Sequence, residues 1–158
     1  MDWLLATQRD DGMWLCDQAG RHSCLRATLD VLRAAALDAE SAAHPAIARA
    51  AAVVCGLLME PRMGRYHVGD MWTILEYPPV GYGVVSALDA LARLGYTLKQ
   101  HKIALAMEYL LVRQMSGGAW PLDQSAPNPP FDVGQPGQPN KWLTLDVLRV
   151  VKLLYAQD

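Results

Sequence analysis

A seven-residue phrase, Gln-x-x-x-Gly-x-Trp, occurs twice in this chain, and a weaker copy lies between the two. The complete copies run from Gln8 to Trp14 and from Gln114 to Trp120, and the weaker copy runs from Glu60 to Tyr66. Counted from their first residues, 8, 60 and 114, successive copies are 52 and 54 residues apart. A period of this length is typical of an array of similar structural units. The chain is therefore expected to fold as three copies of one unit.

The fixed positions of this phrase are expected to have a structural role. A glycine suits the point where a helix ends and the chain reverses, since it accepts positive φ and close backbone approach. The glutamine amide can donate to the last carbonyls of the preceding helix, and the aromatic ring can then cover that amide. These positions are Gln8, Gly12 and Trp14, then Glu60, Gly64 and Tyr66, then Gln114, Gly118 and Trp120.

A second repeated phrase follows each copy of the first. Thr28-Leu-Asp-Val-Leu-Arg33 returns identically as Thr144-Leu-Asp-Val-Leu-Arg149, and its middle copy is Ala87-Leu-Asp-Ala-Leu-Ala92. Its leucines recur at helical spacing. Each unit is therefore predicted to contain a first helix, a turn made by the first phrase, and a second helix.

Capping and breaking signals place these helices along the chain. Ser23 and Asn140 are favourable N-caps, and Gly95 is favourable just after a helix. The second helices are apolar around most of their circumference, which indicates an inner row buried by an outer one. No strand pattern competes, and residues 121–139, rich in Pro and Gly, are predicted to form a loop. The first helices are expected at about 1–8, 45–59 and 98–114, and the second helices at about 23–37, 82–94 and 140–156.

Composition excludes several classes of function. The 158 residues suffice for one domain with a sizeable core, and 52% of them are hydrophobic. The net charge is −2 and the basic residues are scattered, so no nucleic-acid partner is expected. No apolar run reaches the roughly 18 residues of a transmembrane segment. The three cysteines, Cys16, Cys24 and Cys55, favour free thiols in a reducing compartment, and hence a cytoplasmic location.

The order of a Gln-x-x-x-Gly-x-Trp phrase at the end of an outer helix and then an apolar inner helix resembles a known repeat. It is similar to that of terpenoid cyclases, such as the squalene–hopene and oxidosqualene cyclases, and of protein prenyltransferase β-subunits. The resemblance covers nearly the whole chain. It implies an all-α fold in which tandem αα-hairpins form part of an α/α-toroid around an apolar cavity. Residues 1–158 would then be a single repeat domain, with units at about 1–40, 41–96 and 97–158.

The family's catalytic signatures are absent from this chain. Cyclases resembling squalene–hopene cyclase use the central Asp of an Asp-x-Asp-Asp run as their acid, and no such run occurs here. The Asp-x-Cys pair of the prenyltransferase zinc site is missing as well. Toroids of this class also close with more hairpins than the three expected here, and Met1 begins midway along an outer helix. The sequence therefore predicts either an N-terminally truncated piece of a longer protein or a homodimer that closes the ring.

Asp30 is one candidate catalytic residue. A carboxyl group in an apolar cavity can have a raised pKa and act as a general acid. The alternative is an ion pair with Arg33, three residues further along the helix. The equivalent pairs in the other units are Asp89 with Arg93 and Asp146 with Arg149.

Cys24 and His22 are the other two catalytic candidates. Cys24 stands at the positive end of an inner helix, which lowers a thiol pKa, and His22 can serve as its base. Together with Cys16 and His67 they can instead hold zinc tetrahedrally. Their spacing is not an established zinc pattern, so we expect no metal and no cofactor. The third interpretation packs Cys24 beneath the helix and leaves Cys16 exposed.

Aromatic residues are concentrated where the chain enters the second and third inner helices. Trp72, Tyr77 and Tyr82, with His67 nearby and Trp142 in the third unit, are expected to line the mouth of the cavity and bind substrate. Aromatic faces suit isoprenoid contacts and stabilise carbocations through cation–π attraction. The alternative is ordinary core packing.

The leading prediction is a terpenoid cyclase-like or prenyltransferase-like protein that binds an isoprenoid or another apolar small molecule in a central cavity. Whether it is an enzyme stays open, because the catalytic signatures are absent. The alternative is a non-catalytic binding or scaffold module built on the same repeat. Hydrolysis or lysis of polysaccharide ranks last, since Asp10-Asp11 is the only clustered acidic pair.

Overall fold

The computed structural model describes residues 2–16, 22–60, 72–79, 83–129 and 131–156. Over these residues the chain is mostly helical with a few two-residue strands, which confirms the predicted helical class. The helices are α1 (Asp2–Ala6), α2 (Leu25–Ala35), α3 (Ala39–Ala42), α4 (Pro45–Leu57), α5 (Val84–Arg93), α6 (His101–Val112) and α7 (Lys141–Tyr155).

Six of these helices correspond to the six that the sequence predicts. The first helices of the units are α1, α4 and α6, and the second helices are α2, α5 and α7. The additional helix, α3, is only four residues long and is capped by the Asp38 carboxylate, which accepts a hydrogen bond from the Ser41 N–H over 2.8 Å. A helix this short shows no apolar periodicity, and for that reason the sequence pattern missed it.

The second helices form a row with α5 at its centre. α5 packs against α2 on one side and against α7 on the other. Two of the first helices lie against this row, since α4 contacts α2 and α5, while α6 contacts α4 and α5. The central position buries α5 on nearly every side, and Val84, Ala87, Leu88, Ala90 and Leu91 are fully buried in it. The helices therefore form two adjacent rows with the apolar core between them.

The glutamines of the two complete phrases close the turns between the rows. The Gln114 amide donates to the Gly118 carbonyl over 2.8 Å, and the Gln8 amide donates to the Gly12 carbonyl over the same distance. Gln8 also reaches the Ala46 carbonyl at 2.7 Å. Gly12 and Gly118 have φ of +82° and +81°, as expected for glycines that reverse the chain. The glutamines thus bond the turn itself, not the last helical carbonyls.

The tryptophans of the phrase bond those helical carbonyls instead. The Trp14 indole N–H donates to the Leu4 carbonyl in α1 over 2.7 Å, and the Trp120 indole N–H donates to the Leu110 carbonyl in α6 over 2.6 Å. Both rings are buried. In both complete copies the bond to a helical carbonyl that was expected of the glutamine is therefore made by the tryptophan.

A threonine in each following helix completes these junctions. The Trp14 backbone N–H donates to Thr28 Oγ1 at 3.1 Å, and the Trp120 N–H donates to Thr144 Oγ1 at 3.0 Å. The two repeated phrases are therefore connected by a side-chain hydrogen bond in each complete unit. In the middle unit the corresponding residue is Ala87, which has no hydroxyl group.

The middle unit departs from the pattern of the other two. Glu60 forms an ion pair with Lys102, while Gly64 and Tyr66 lie outside the described residues. The buried faces of α4 and α6 match at a spacing of 56 residues, not the 54 of the phrase, so that Leu58 corresponds to Gln114. The matching buried pairs are Ile47 with Ile103, Ala50 with Ala106, Ala51 with Met107, and Val54 with Leu110.

Short strands order the segment between α6 and α7, which the sequence predicted to be a plain loop. β1 (Glu76–Tyr77) pairs in parallel with β3 (Gln124–Ser125), and β2 (Trp120–Pro121) pairs antiparallel with β4 (Pro139–Asn140). These pairings hold the segment against the ends of the second helices. Within the described part of the chain, no helix has both the length and the apolar character needed to cross a lipid bilayer.

Candidate functional site: the groove beside α5 and α7

A groove of about 180 Å³ opens beside α5 and α7 and is bordered by the end of α2. Its apolar wall comes from the segment before α5 and from the first turns of α5 and α7. The main apolar side chains are Ile74, Leu75, Pro79, Val85 and Leu143. Because α2, α5 and α7 carry the same repeated phrase, equivalent positions of different units line this one groove.

Charged side chains surround the apolar wall. Arg33 and Arg149 occupy the same repeat position on α2 and α7, and Arg93 lies one residue beyond the matching position on α5. Three carboxylates balance these three arginines, namely Glu76, Asp89 and Asp146. The groove therefore combines an apolar surface with a polar rim that has no net formal charge.

The rim charges form ion pairs along each helix, as one of the two sequence interpretations proposed. Both oxygens of Asp89 accept from Arg93 Nε, at 3.1 and 3.0 Å. Asp146 Oδ1 accepts from Arg149 over 3.0 Å. The Asp89 carboxylate raises the pKa of Arg93, chiefly by accepting its hydrogen bond. Both helical pairs therefore hold their guanidinium groups in fixed positions at the rim.

The folded structure raises the pKa of one carboxyl group at the rim of the groove, that of Asp146. Burial raises the pKa of Asp146, and the nearby Asp89 carboxylate raises it further. Arg149 and Arg33 act in the opposite direction and lower it. A carboxyl group that retains its proton more readily can donate a hydrogen bond or a proton to a ligand in the groove.

The first catalytic candidate, Asp30, does not line this groove. Its side chain is exposed and lies 3.6 Å from Arg33, so it forms the ion pair that was the alternative interpretation. Asp89 and Asp146, at the same repeat position, line the groove instead. The sequence could not show which copies of this repeat position face the opening.

Cys24 is joined to Cys16 by a disulfide, with their Cα atoms 5.5 Å apart. This corrects the expectation that these thiols stay free. A disulfide sulfur is neither a thiolate nucleophile nor a thiolate zinc ligand, so the bond removes both of those roles while it is intact. Cys24 Sγ instead caps α2 and accepts from the Ala27 N–H at 3.5 Å. His22, the proposed base, is exposed.

Across the described residues, no group of three or more His, Cys, Asp or Glu side chains is arranged to hold a metal ion. His67, the fourth candidate zinc ligand, lies outside those residues. Cys55 carries a free thiol that is partly buried, and this burial raises its pKa. It packs against the core and lies on α4, away from the residues that line the groove.

Two of the predicted aromatic residues meet beside the groove. The rings of Tyr77 and Trp142 stack with centroids 6.1 Å apart and planes 10° apart. Phe131 packs at an angle against both, at 6.5 Å from Tyr77 and 5.7 Å from Trp142. Lys141 Nζ lies 5.0 Å from the Trp142 ring centroid. We call the rings of Tyr77, Phe131 and Trp142 the aromatic cluster. Two of them are adjacent in sequence to residues that line the groove, because Tyr77 follows Glu76 and Trp142 precedes Leu143.

The remaining aromatic candidates are placed elsewhere. Trp72 is buried in the core, which is the alternative considered for it. Tyr82 lies outside the described residues, as His67 does. Phe131 was not a candidate, because it is the only Phe of the chain and lies in a proline-rich segment with no periodic pattern. It joins the cluster because β4 folds this segment back to the start of α7.

No protein-family model, no curated protein and no solved structure matches the chain. The resemblance to terpenoid cyclases and prenyltransferase β-subunits accordingly depends on the two repeated phrases. Both phrases take part in the hydrogen bonds that join the two rows of helices.

Proposed function

We propose that this chain is part of an α/α-toroid of the terpenoid cyclase and prenyltransferase type, and that its groove binds an isoprenoid or a similar apolar molecule. The observation that carries this proposal is that equivalent positions of different units converge on one groove. Arg33 and Arg149 are one such set, and Asp89 and Asp146 are another. Inner helices of a toroid would present equivalent positions to a common cavity in the same way.

The chemistry of the lining supports a ligand with an apolar body and a polar end. Leu75, Val85 and Leu143 offer apolar contacts, and branched hydrocarbon chains are stabilised by such surfaces through the loss of exposed area. The protonated form of Asp146 can donate a hydrogen bond to an alcohol or ether oxygen. A terminal alcohol on an isoprenoid chain would satisfy both parts of the groove.

The volume of the groove restricts the part of the ligand that it can hold. At about 180 Å³ it is smaller than the roughly 300–1,000 Å³ typical of pockets that enclose a drug-sized molecule. A short isoprenoid segment fits this space, and a longer chain would continue along the open side. The exposed ring of Phe131 offers a further apolar surface beside Tyr77 and Trp142.

Equilibrium dialysis with radiolabelled farnesol tests this proposal, with an unbranched alcohol of equal carbon number as the comparison ligand. Val85→Lys should place a charged chain across the apolar wall and weaken farnesol binding at least about 10-fold. Val112→Lys, on the exposed face of α6, is the matched control and should bind as the wild type does. Absence of saturable binding, or equal binding by both variants, would overturn the proposal.

A second function, a non-catalytic scaffold module, is favoured by a different observation. α7 exposes large apolar residues at positions that are buried in the other units. A protein can use such a surface to bind another protein without catalysing any reaction. Both functions are compatible with one architecture, because the groove and this surface are formed by different residues.

A further inference from the structure

One face of α7 carries a line of exposed apolar side chains. Leu145, Leu148 and Tyr155 are 43%, 49% and 53% exposed, and Lys152 lies between the last two. Their spacings of three, four and three residues place all four on one side of the helix. We call this set the α7 stripe.

The same positions are buried in the other two units. Leu145 corresponds to Leu29 and Leu88 in the repeated phrase, and Leu148 corresponds to Leu32 and Leu91. These four leucines are at most 1% exposed. In those units a further helix covers the row, since α4 packs against α2 and α6 packs against α5. In the described part of the chain no helix covers the α7 stripe, whose apolar side chains are exposed.

The opposite end of the row shows the complementary exposure. On α7, Leu143 and Val150 are buried on the side that packs against α5. Their repeat equivalents on α2 are Ala27, which is partly exposed, and Ala34, which is exposed. On the central helix α5 the equivalents are Ser86, which is buried, and Arg93, which is exposed, so Ala27 is the position that distinguishes the first unit. No described helix precedes α2 in the row. The first unit also exposes Leu37 by 81% and Trp3 by 67%.

Charged side chains that could pair across a contact lie at both ends of the row. Exposed acidic groups accompany the first unit, where Asp2, Asp38 and Glu40 border one shallow opening between α1 and α3. Lys152 lies within the α7 stripe. In the alignment of the repeated phrases Lys152 corresponds to position 36 of the first unit, which is two residues before Asp38. Lys152 and Asp38 therefore lie near the same end of their equivalent helices, α7 and α2. Complementary charges of this kind favour one orientation of docking over others.

We propose that the α7 stripe of one copy of this chain binds the first-unit edge of a second copy, formed by Trp3, Ala27 and Leu37, head to tail. The contact continues the α2–α5–α7 row across the interface. It buries Leu145 and Leu148, just as the equivalent leucines of α2 and α5 are buried within one copy. Two such contacts, made in opposite directions, close a ring of two copies. This inference rests on the three-unit architecture proposed above and is independent of any ligand.

Sedimentation velocity on the full chain and on variants at each edge tests the inference. Leu148→Glu and Leu37→Glu each place a charge in both contacts of the ring, and each should weaken self-association about 30-fold or more. Both positions are exposed in the single copy, so folding should be retained, and circular dichroism checks this. Val112→Glu introduces the same kind of change on α6, outside both edges, and should dimerise normally.

Mixing the two edge variants gives the decisive observation. The α7 stripe of the Leu37→Glu copy and the first-unit edge of the Leu148→Glu copy are both unaltered, so the mixture should form a 1:1 dimer through one contact. If the wild type is monomeric, or if Leu37→Glu dimerises normally while Leu148→Glu does not, the head-to-tail contact is wrong. A monomer that still binds farnesol would overturn this inference alone, and a dimer that binds none would overturn only the ligand proposal.

Discussion

The indole N–H of Trp120 donates to the backbone carbonyl of Leu110 over 2.6 Å, with the ring almost fully buried. Leu110 lies in the last turn of α6, and its carbonyl also accepts the backbone N–H of Arg113 at 3.1 Å. One side chain thus both fills the core and satisfies a helix end. Trp14 and Leu4 repeat the relationship in the first unit. This bond attaches the turn to the helix that precedes it.

Replacing Trp120 with Phe should therefore destabilise the protein beyond the loss of ring area. The Leu110 carbonyl would keep only its bond from the Arg113 N–H, and loss of the indole bond should cost about 1 kcal/mol. Trp142→Phe is the matched control, because the Trp142 indole N–H is buried and has no hydrogen-bond partner in the described part of the chain. Urea unfolding measures both variants. Equal losses of unfolding free energy would contradict the role given to the Trp120 bond.

Thr28 should be the residue that connects the two repeated phrases of the first unit. Its hydroxyl accepts from the Trp14 N–H at 3.1 Å and donates to the Cys24 carbonyl at 2.8 Å. Thr28→Val keeps the shape but leaves the buried Trp14 N–H without its acceptor, whereas the Cys24 carbonyl keeps its bond from the N–H of residue 28 at 3.0 Å. We therefore expect a loss of about 1–3 kcal/mol in unfolding free energy. Thr28→Ser retains the hydroxyl group and should lose less, and a smaller effect for Val than for Ser would argue against this connection.

The helices could be placed from the sequence because their signals are local. Asn140 was expected to cap α7, and its side chain accepts from the Trp142 and Leu143 N–H groups at 3.1 and 2.9 Å. The expected cap at Ser23 was displaced by one residue, to Cys24. Capping and apolar periodicity act over a few residues, so a single sequence reveals them.

The groove and the aromatic cluster depend on contacts that no local pattern encodes. Glu76 and Gln124 pair in β1 and β3 although 48 residues separate them. Phe131 reaches Trp142 only because the intervening segment folds back through β4. The number of cysteines did not show which of them are bonded either. Cys16 and Cys24 form a disulfide, and Cys55 carries a free thiol.

Asp123 should be essential for attaching the segment after α6 to the rest of the fold. One carboxylate oxygen accepts from the Leu75 N–H at 2.8 Å, and the other binds Arg113. Asp123→Asn replaces one acceptor oxygen with a donor, so one of these contacts must be lost. We expect a loss of about 1–3 kcal/mol in unfolding free energy, whereas Asp10→Asn, at an exposed position, should have little effect. Thermal unfolding of the two variants distinguishes these outcomes.

The raised pKa of Asp146 predicts a specific pH dependence of stability. Burial makes the folded state hold this proton more tightly than the unfolded chain does. Between the unfolded and folded pKa values the folded state therefore binds more protons, and the contribution of Asp146 to stability falls as pH rises through that window. Acidification from neutral pH should recover this contribution, and it should be complete below the unfolded pKa of about 3.9.

Asp146→Asn isolates this effect, because an amide does not titrate in that range. The unfolding free energy of the variant, relative to that of the wild type, should decrease as the pH is lowered through the window. Arg149→Gln removes the group that lowers the Asp146 pKa most and should extend the window to higher pH. Urea unfolding at a series of pH values measures both variants. A difference between Asp146→Asn and the wild type that stays constant with pH would show that the folded state does not alter the Asp146 proton affinity.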